Sequence, residues 1–162
     1  MEKTTSGTPS RGARGQSLED VHRALEALLA STRGARLHRE LAARAGGSLT
    51  RAESFLLGNI VSYGPLRLSA LAELTGQDRS ITSRQVDILI KADLVHRTPD
   101  PDDGRAHLLG PTEAGRRMSR NLRAVWSTWL QESLGSWSDA DLAHLAGLMS
   151  RLGHDLRATK EP

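Results

Sequence analysis

The run from Pro65 to Pro111, PLRLSALAELTGQDRSITSRQVDILIKADLVHRTPDPDDGRAHLLGP, constrains the fold of this chain more than any other stretch. A short apolar segment built on Leu68, Leu71, Ala72 and Leu74 is stopped by Thr75, Gly76 and Gln77. Asp78 then offers a carboxylate at an N-cap, which predicts a second helix from Asp78 to about Ala92. That helix has two faces. Val86, Leu89 and Ile90, with Ile81 joining near the start, recur at helical spacing on a side suited to a core. Ser80, Ser83, Arg84 and Asp87 fall on the opposite side and present hydroxyls and a guanidinium outward. Leu94, Val95 and His96 then begin an extended run that Arg97 to Pro101 leave. Asp102, Asp103 and Gly104 carry turn chemistry, and Ala106 to Leu109 return as a strand until Gly110 and Pro111. The order is helix, turn, helix, hairpin.

A helix of this composition suits the major groove of duplex DNA. Ser and Thr hydroxyls bond to phosphates or base edges, and an arginine can take guanine O6 and N7 together. The helix N-terminus adds free amides and a positive dipole near phosphate. The candidate DNA contacts are Arg79, Ser80, Thr82, Ser83, Arg84 and Gln85 on the helix and Arg105 just past the hairpin tip. A turn that projects an arginine beside such a helix reaches the neighbouring minor groove, which attracts arginine when narrow. Asp103, two residues earlier, is spaced to orient that guanidinium. Two plainer readings stand beside these: an amphipathic helix with a solvated polar face, and an Arg105 that only pairs with Asp102 or Asp103 at the surface.

Five segments taken jointly resemble the winged helix-turn-helix of MarR-type transcription regulators. They are Thr82-Ser83-Arg84, Val86-Asp87-Ile88-Leu89, Asp93-Leu94-Val95-His96-Arg97, Asp100-Pro101-Asp102-Asp103-Gly104-Arg105 and Pro111-Thr112-Glu113-Ala114-Gly115. That family shows a hydroxyl-rich segment with an arginine, then V-D-x-L, G-L-V-x-R, D-P-D-D-R-R and L-T-x-x-G. Recognisable motifs run from Leu49 to Arg120, and the flanking helices fit by position. Gly104 stands where the family has the first arginine of the wing pair, Asp93 where it has glycine, and Pro111 where it has leucine. Gly104 removes one cation from the tip, which lowers the expected minor-groove affinity. The resemblance implies a mostly α fold with a small β-hairpin: a winged helix-turn-helix DNA-binding lobe plus a helical dimerisation layer from both termini. It also implies a homodimer on a pseudo-palindromic operator, with repression as the expected sign.

The rest of the chain agrees with an α-rich protein. With three Trp, one Tyr and one Phe, the core must lean on Leu, Val, Ile and Ala. The net charge of +3 permits a polyanion partner without demanding one, and there is no polybasic stripe. The absence of cysteine excludes disulfides, thiolate metal sites and a cysteine peroxide sensor within the chain. No apolar run approaches the roughly 20 residues of a membrane span, and the first residues lack the apolar core of a signal peptide, so a cytoplasmic protein without a membrane partner is expected.

Taken in order, residues 1–16 are rich in Gly, Ser, Thr and Arg and are expected to be a disordered tail. Residues 17–47 read as a dimerisation helix, opened by Ser17 with Asp20 as a capping box and softened at Gly34. Its stripe is Leu18, Val21, Leu25, Leu28 and Leu29, continued by Leu37 and Leu41. Residues 48–111 form the winged lobe, in which Thr50 and Glu53 cap a helix carrying Phe55, Leu56, Leu57, Ile60 and Val61. Residues 112–162 supply the C-terminal dimerisation helices. Thr112 caps the first, with Met118, Leu122, Val125, Trp126, Trp129 and Leu130 on its apolar side. Ser138 or Asp139 opens the last, striped by Leu142, Leu145, Leu148, Met149, Leu152 and Leu156. One small winged lobe cannot cover so many large apolar residues. Burial of each is worth about 1.5–3 kcal/mol, so a second copy is the natural cover. A self-contained monomeric bundle is the alternative.

In the family resembled, regulatory ligands, often anionic phenolic compounds, bind between the dimer helices and the DNA-binding lobe. Here that implies a small-molecule effector met by Arg39 or Arg44 through its carboxylate and by Trp126 or Trp129 through its ring. Core or dimer packing is the plainer role for both tryptophans. The six histidines include no His-x-x-x-His pair or HExxH, and His38 with Glu40 is a weak pair, so no metal and no cofactor are expected. His96 and His107 are placed to face one another across the wing. With no Gly-rich phosphate loop, no GxSxG elbow and no paired carboxylates in an apolar frame, the chain does not read as an enzyme. The rival function is a winged-helix protein-interaction module that keeps the fold and loses the cationic surface.

Overall fold

The computed structural model describes residues 11–29 and 32–158. The chain divides into two compact units, Met1–Leu122 and Arg123–Pro162. In chain order the elements are α1 (Arg11–Leu29), α2 (Thr32–Arg44), α3 (Arg51–Tyr63), β1 (Leu66–Arg67), α4 (Leu68–Thr75) and α5 (Arg79–Lys91). They continue with β2 (Val95–Asp100), β3 (Asp103–Pro111), α6 (Glu113–Ser133) and α7 (Asp139–Ala158). No helix among the described residues is long and apolar enough to cross a membrane.

The single helix expected within 17–47 is two helices, the first starting six residues early, at Arg11, and the second ending at Arg44. Residues 11–16 of the expected tail are therefore helical; residues 1–10 lie outside the described residues. Arg11, Ala13, Arg14 and Gln16 are good helix formers and outweigh Gly12 and Gly15. Ser17 is consequently no cap, and its hydroxyl donates back to the Ala13 carbonyl at 2.9 Å. Leu18, Val21 and Leu28 on α1 are exposed.

In the first unit the core is aliphatic: Leu41, Leu56, Leu57, Ile60, Leu71, Val86, Leu89 and Leu109 are fully enclosed. The capping box at α3 forms as expected. Thr50 Oγ1 accepts from the Glu53 amide at 3.3 Å, and Glu53 Oε2 accepts from the Thr50 amide at 2.8 Å. Phe55, predicted among the apolar residues of α3, stays exposed. His38 is buried on α2, its Nε2 3.0 Å from Ser54 Oγ on α3. Burial pushes its imidazole below the ordinary histidine value.

The hairpin carries a third strand. All three strands are antiparallel in the order β1-β3-β2, and β1 pairs Leu66 with Leu109 and Arg67 with Leu108. The strands of the hairpin are also longer than their apolar residues suggest, because ladder bonds continue through the polar stretch to Asp100 and Asp103. His96 lies opposite Gly110 and His107 opposite Pro99, so the two histidines point to opposite faces and do not meet. Thr112 Oγ1 accepts from the Gly115 amide at 2.9 Å and donates to the Asp93 carbonyl at 2.7 Å. This ties the start of α6 to the corner between α5 and β2. A side chain at Gly115 would run into the Leu94 carbonyl, so that approach requires glycine.

In the second unit, Ser138 caps α7, its hydroxyl 2.6 Å from Asp141 Oδ2 and accepting from the Asp141 amide at 3.2 Å. Trp126 and Trp129 meet edge to face, with ring centroids 5.4 Å apart. Leu145, Leu148, Met149 and Leu156 on α7 are exposed.

Candidate nucleic-acid interface

The α4–α5 corner begins with Gly76, whose φ of 64° is left-handed and ends α4 without strain. Asp78 follows as the N-cap of α5, its Oδ1 accepting from the Ser80 amide at 2.7 Å and the Ile81 amide at 3.4 Å. Bonds from Ser80, side chain first and then backbone, hold this carboxyl below the usual carboxylate range. Two of the N-terminal amides that the sequence offers to phosphate, those of Ser80 and Ile81, are thus already taken by the protein's own carboxylate. At its other end α5 closes in a Schellman arrangement: Leu94 donates to the Leu89 carbonyl and Asp93 to the Ile90 carbonyl, both at 2.9 Å. Asp93 adopts φ 56°, the conformation that glycine holds more cheaply.

Which face of α5 points outward differs from the sequence expectation by one residue. Thr82, Val86 and Leu89 are fully buried, whereas Ile81 is 48% exposed. Thr82 therefore leaves the set of DNA contacts; its hydroxyl donates to the Asp78 carbonyl at 2.9 Å and its methyl enters the core. Ile81 leaves the core. A back-bonded threonine satisfies its one polar group locally and packs like valine. Arg79, Ser80 and Arg84 are exposed as expected, and Ser83 and Gln85 are half-buried. Gln85 Oε1 is enclosed and has no hydrogen-bond partner among the described residues.

The wing is braced by two ion pairs that join residues far apart in sequence. Arg67 on β1 donates to Asp100 at the end of β2 at 2.6 Å, and Arg97 on β2 donates to Asp87 on α5 at 2.8 Å. The Arg67 hydrogen bond, with help from the Asp102 amide, holds the buried Asp100 carboxyl below its ordinary range and keeps Arg67 more firmly charged. Asp103 differs from its expected role. Its Oδ1 accepts from the Arg105 backbone amide at 3.1 Å and its Oδ2 lies 4.0 Å from Arg67, so it fixes the turn and leaves the Arg105 guanidinium alone.

Between the α4–α5 corner and the wing lies an open concavity of about 600 Å³ whose wall includes Arg67, Arg79, Arg97, Arg105 and His107. Arg67 and Arg97 are neutralised by their aspartates. Arg79 and Arg105, like Arg84 on the outer face, make no ion pair among the described residues. Neither Arg67, Arg97 nor Ile81 was legible as part of this surface. The first two depend on partners 33 and 10 residues away, and hydrophobicity alone assigns Ile81 to the core. Of the ligand candidates, Arg39 and Arg44 are exposed on α2 in the first unit, and Trp126 and Trp129 are half-buried in the second. Among the described residues no group of three or more His, Cys, Asp or Glu could hold a metal ion.

A capped second helix of a helix-turn-helix held against a three-stranded antiparallel wing defines a winged helix-turn-helix. The sequence profile of the MarR family matches residues 49–107. An uncharacterized HTH-type transcriptional regulator of Bacillus subtilis, YxaD, is 30% identical over 106 residues, 65% of this chain and 74% of its own. A probable transcriptional regulator from Pseudomonas aeruginosa is 30% identical, with a TM-score of 0.60 over 74% of this chain and 92% of that one. FabT of Streptococcus pneumoniae, solved in complex with DNA, shares the fold at 13% identity, with a TM-score of 0.72 over 88% of this chain and 99% of its own. The chain belongs to the MarR family of winged helix-turn-helix, DNA-binding transcriptional regulators.

Proposed function

We propose that this regulator binds a pseudo-palindromic operator as a homodimer and represses transcription from it. The observation that carries the reading is the pairing of two cationic surfaces. Arg79 and Arg84 are exposed on α5, Arg105 is exposed on the wing, and none has an ion-pair partner among the described residues. Unpaired guanidinium groups at this density suit phosphates and base edges. In this reading α5 enters the major groove with Arg84 as its main contact, assisted by Arg79, Ser80 and Ser83. Gln85, whose Oε1 is enclosed, contributes only through its Nε2 amino group, and Arg105 borders the minor groove.

Dimerisation is supported by the outward leucines and methionine of α1 and α7, which a second copy would cover. Two-fold pairing sets two recognition helices about one turn of DNA apart, roughly 34–36 Å. Occupation of such a site would exclude other proteins from the same DNA, which is the simplest route to repression. Release by a small anionic aromatic effector completes the reading; its support is chemical, in the exposed guanidinium groups of Arg39 and Arg44 and the part-exposed rings of Trp126 and Trp129.

Selection of bound duplexes from a random pool tests the operator and the dimer together. The expected result is a two-fold symmetric motif bound by a dimer, with affinity falling steeply as salt rises. Salt-insensitive, unselective binding by a monomer would favour a protein-interaction module instead.

A further inference from the structure

We propose that Ile81 is a sequence-reading contact of α5, its side chain packing on the 5-methyl group of a thymine in the major groove. The inference rests on the DNA-binding reading above. Ile81 lies in the first turn of α5, directly after Asp78, Arg79 and Ser80, and shares its outer face with Arg84 three residues on. The residue is 48% exposed while the neighbouring Thr82 takes the core position. A single exposed aliphatic residue is ordinary on a protein surface. This one is flanked by Arg79 and Arg84, exposed guanidinium groups that make no ion-pair contact among the described residues.

On a duplex, those guanidinium groups engage phosphates or guanine edges to either side of Ile81. The apolar group that the major groove offers between them is the thymine methyl, which distinguishes A·T from T·A and from both G·C orientations. Residues at the start of a recognition helix are the ones that meet base edges. Ile88 shares the face but lies about 10 Å further along the helix, away from that end. A β-branched side chain in a helix holds one dominant χ1 rotamer, so the Ile81 methyls are presented at a fixed place and discriminate sharply. The partner is therefore duplex DNA carrying a thymine at one fixed position in each half-site.

Full-length protein is used to select duplexes from a random pool, and each thymine of the selected motif is replaced in turn by deoxyuridine, which lacks only the methyl group. Wild type should lose about 3–5-fold in affinity at one thymine per half-site and nowhere else, the amount expected for one buried methyl. Ile81→Ala should bind the thymine and deoxyuridine duplexes equally, and Ile81→Val should keep the preference. Unchanged thermal midpoints and unchanged binding to an arbitrary duplex would show that both variants are folded. Wild type that selects a motif yet ignores every thymine methyl, or Ile81→Ala that still discriminates, overturns the inference alone. Wild type that retains no duplex, or that captures a protein through this face, overturns the DNA-binding reading and the inference with it.

Discussion

Arg84 and Gly104 test the interface from opposite directions. Arg84→Ala should weaken operator binding by about 1–3 kcal/mol if the guanidinium reads a base, measured by competition with the wild-type site. Gly104 has open space around it and an ordinary backbone conformation, so the wing does not require glycine there. Gly104→Arg should therefore fit without strain, tighten binding to any duplex and steepen the dependence on salt by about one counterion. An unchanged salt slope would place the wing tip away from the phosphates. At this scale the sequence is legible wherever polarity and exposure coincide, as at Arg79, Ser80, Arg84 and Arg105. It misleads where hydrophobicity and helical phase disagree. Positions 82, 86 and 89 are the i, i+4, i+7 series, and the series admits threonine because Thr82 satisfies its hydroxyl on the Asp78 carbonyl.

Individual elements depend on a few end residues. At the C-terminus of α5, Asp93→Gly would remove the left-handed penalty and should stabilise the fold by up to about 1 kcal/mol, read from chemical denaturation. Between α2 and α3, His38 gives a pH dependence of known sign. Burial lowers its folded value, so the unfolded chain accepts the proton more readily. Its stabilising contribution is complete above the ordinary histidine value, near 6.5, and is lost as pH falls from there through the lower folded value. The denaturation midpoint of the wild type should drop between pH 7 and 5, and His38→Gln should flatten that drop. Helix caps such as Thr50 with Glu53, Asp78 and Thr112 were readable because each is a local pattern of residue types. β1 was not, because two residues carry no periodicity and its existence depends on the remote Leu108 and Leu109. The same holds for the Arg67–Asp100 brace, which exists only once that strand has paired.

For the whole molecule, the outward apolar residues of α7 give the reading its clearest test. Leu148→Glu combined with Met149→Glu should leave the winged lobe folded, shift the protein to a monomer in sedimentation and weaken operator binding at least tenfold, since two half-sites would no longer be held together. A charged pair that leaves assembly unchanged would exclude this face from pairing. The self-capped start of α5 has a consequence at a larger scale still. A helix that begins on its own carboxylate meets every stretch of chromosome with a small repulsion, and only a matching site overcomes it. The regulator should therefore linger less on irrelevant sequence and sample more of the genome per unit time. Asp78→Asn, which keeps the cap and drops the charge, should lengthen its stay on arbitrary DNA and slow the search for its target.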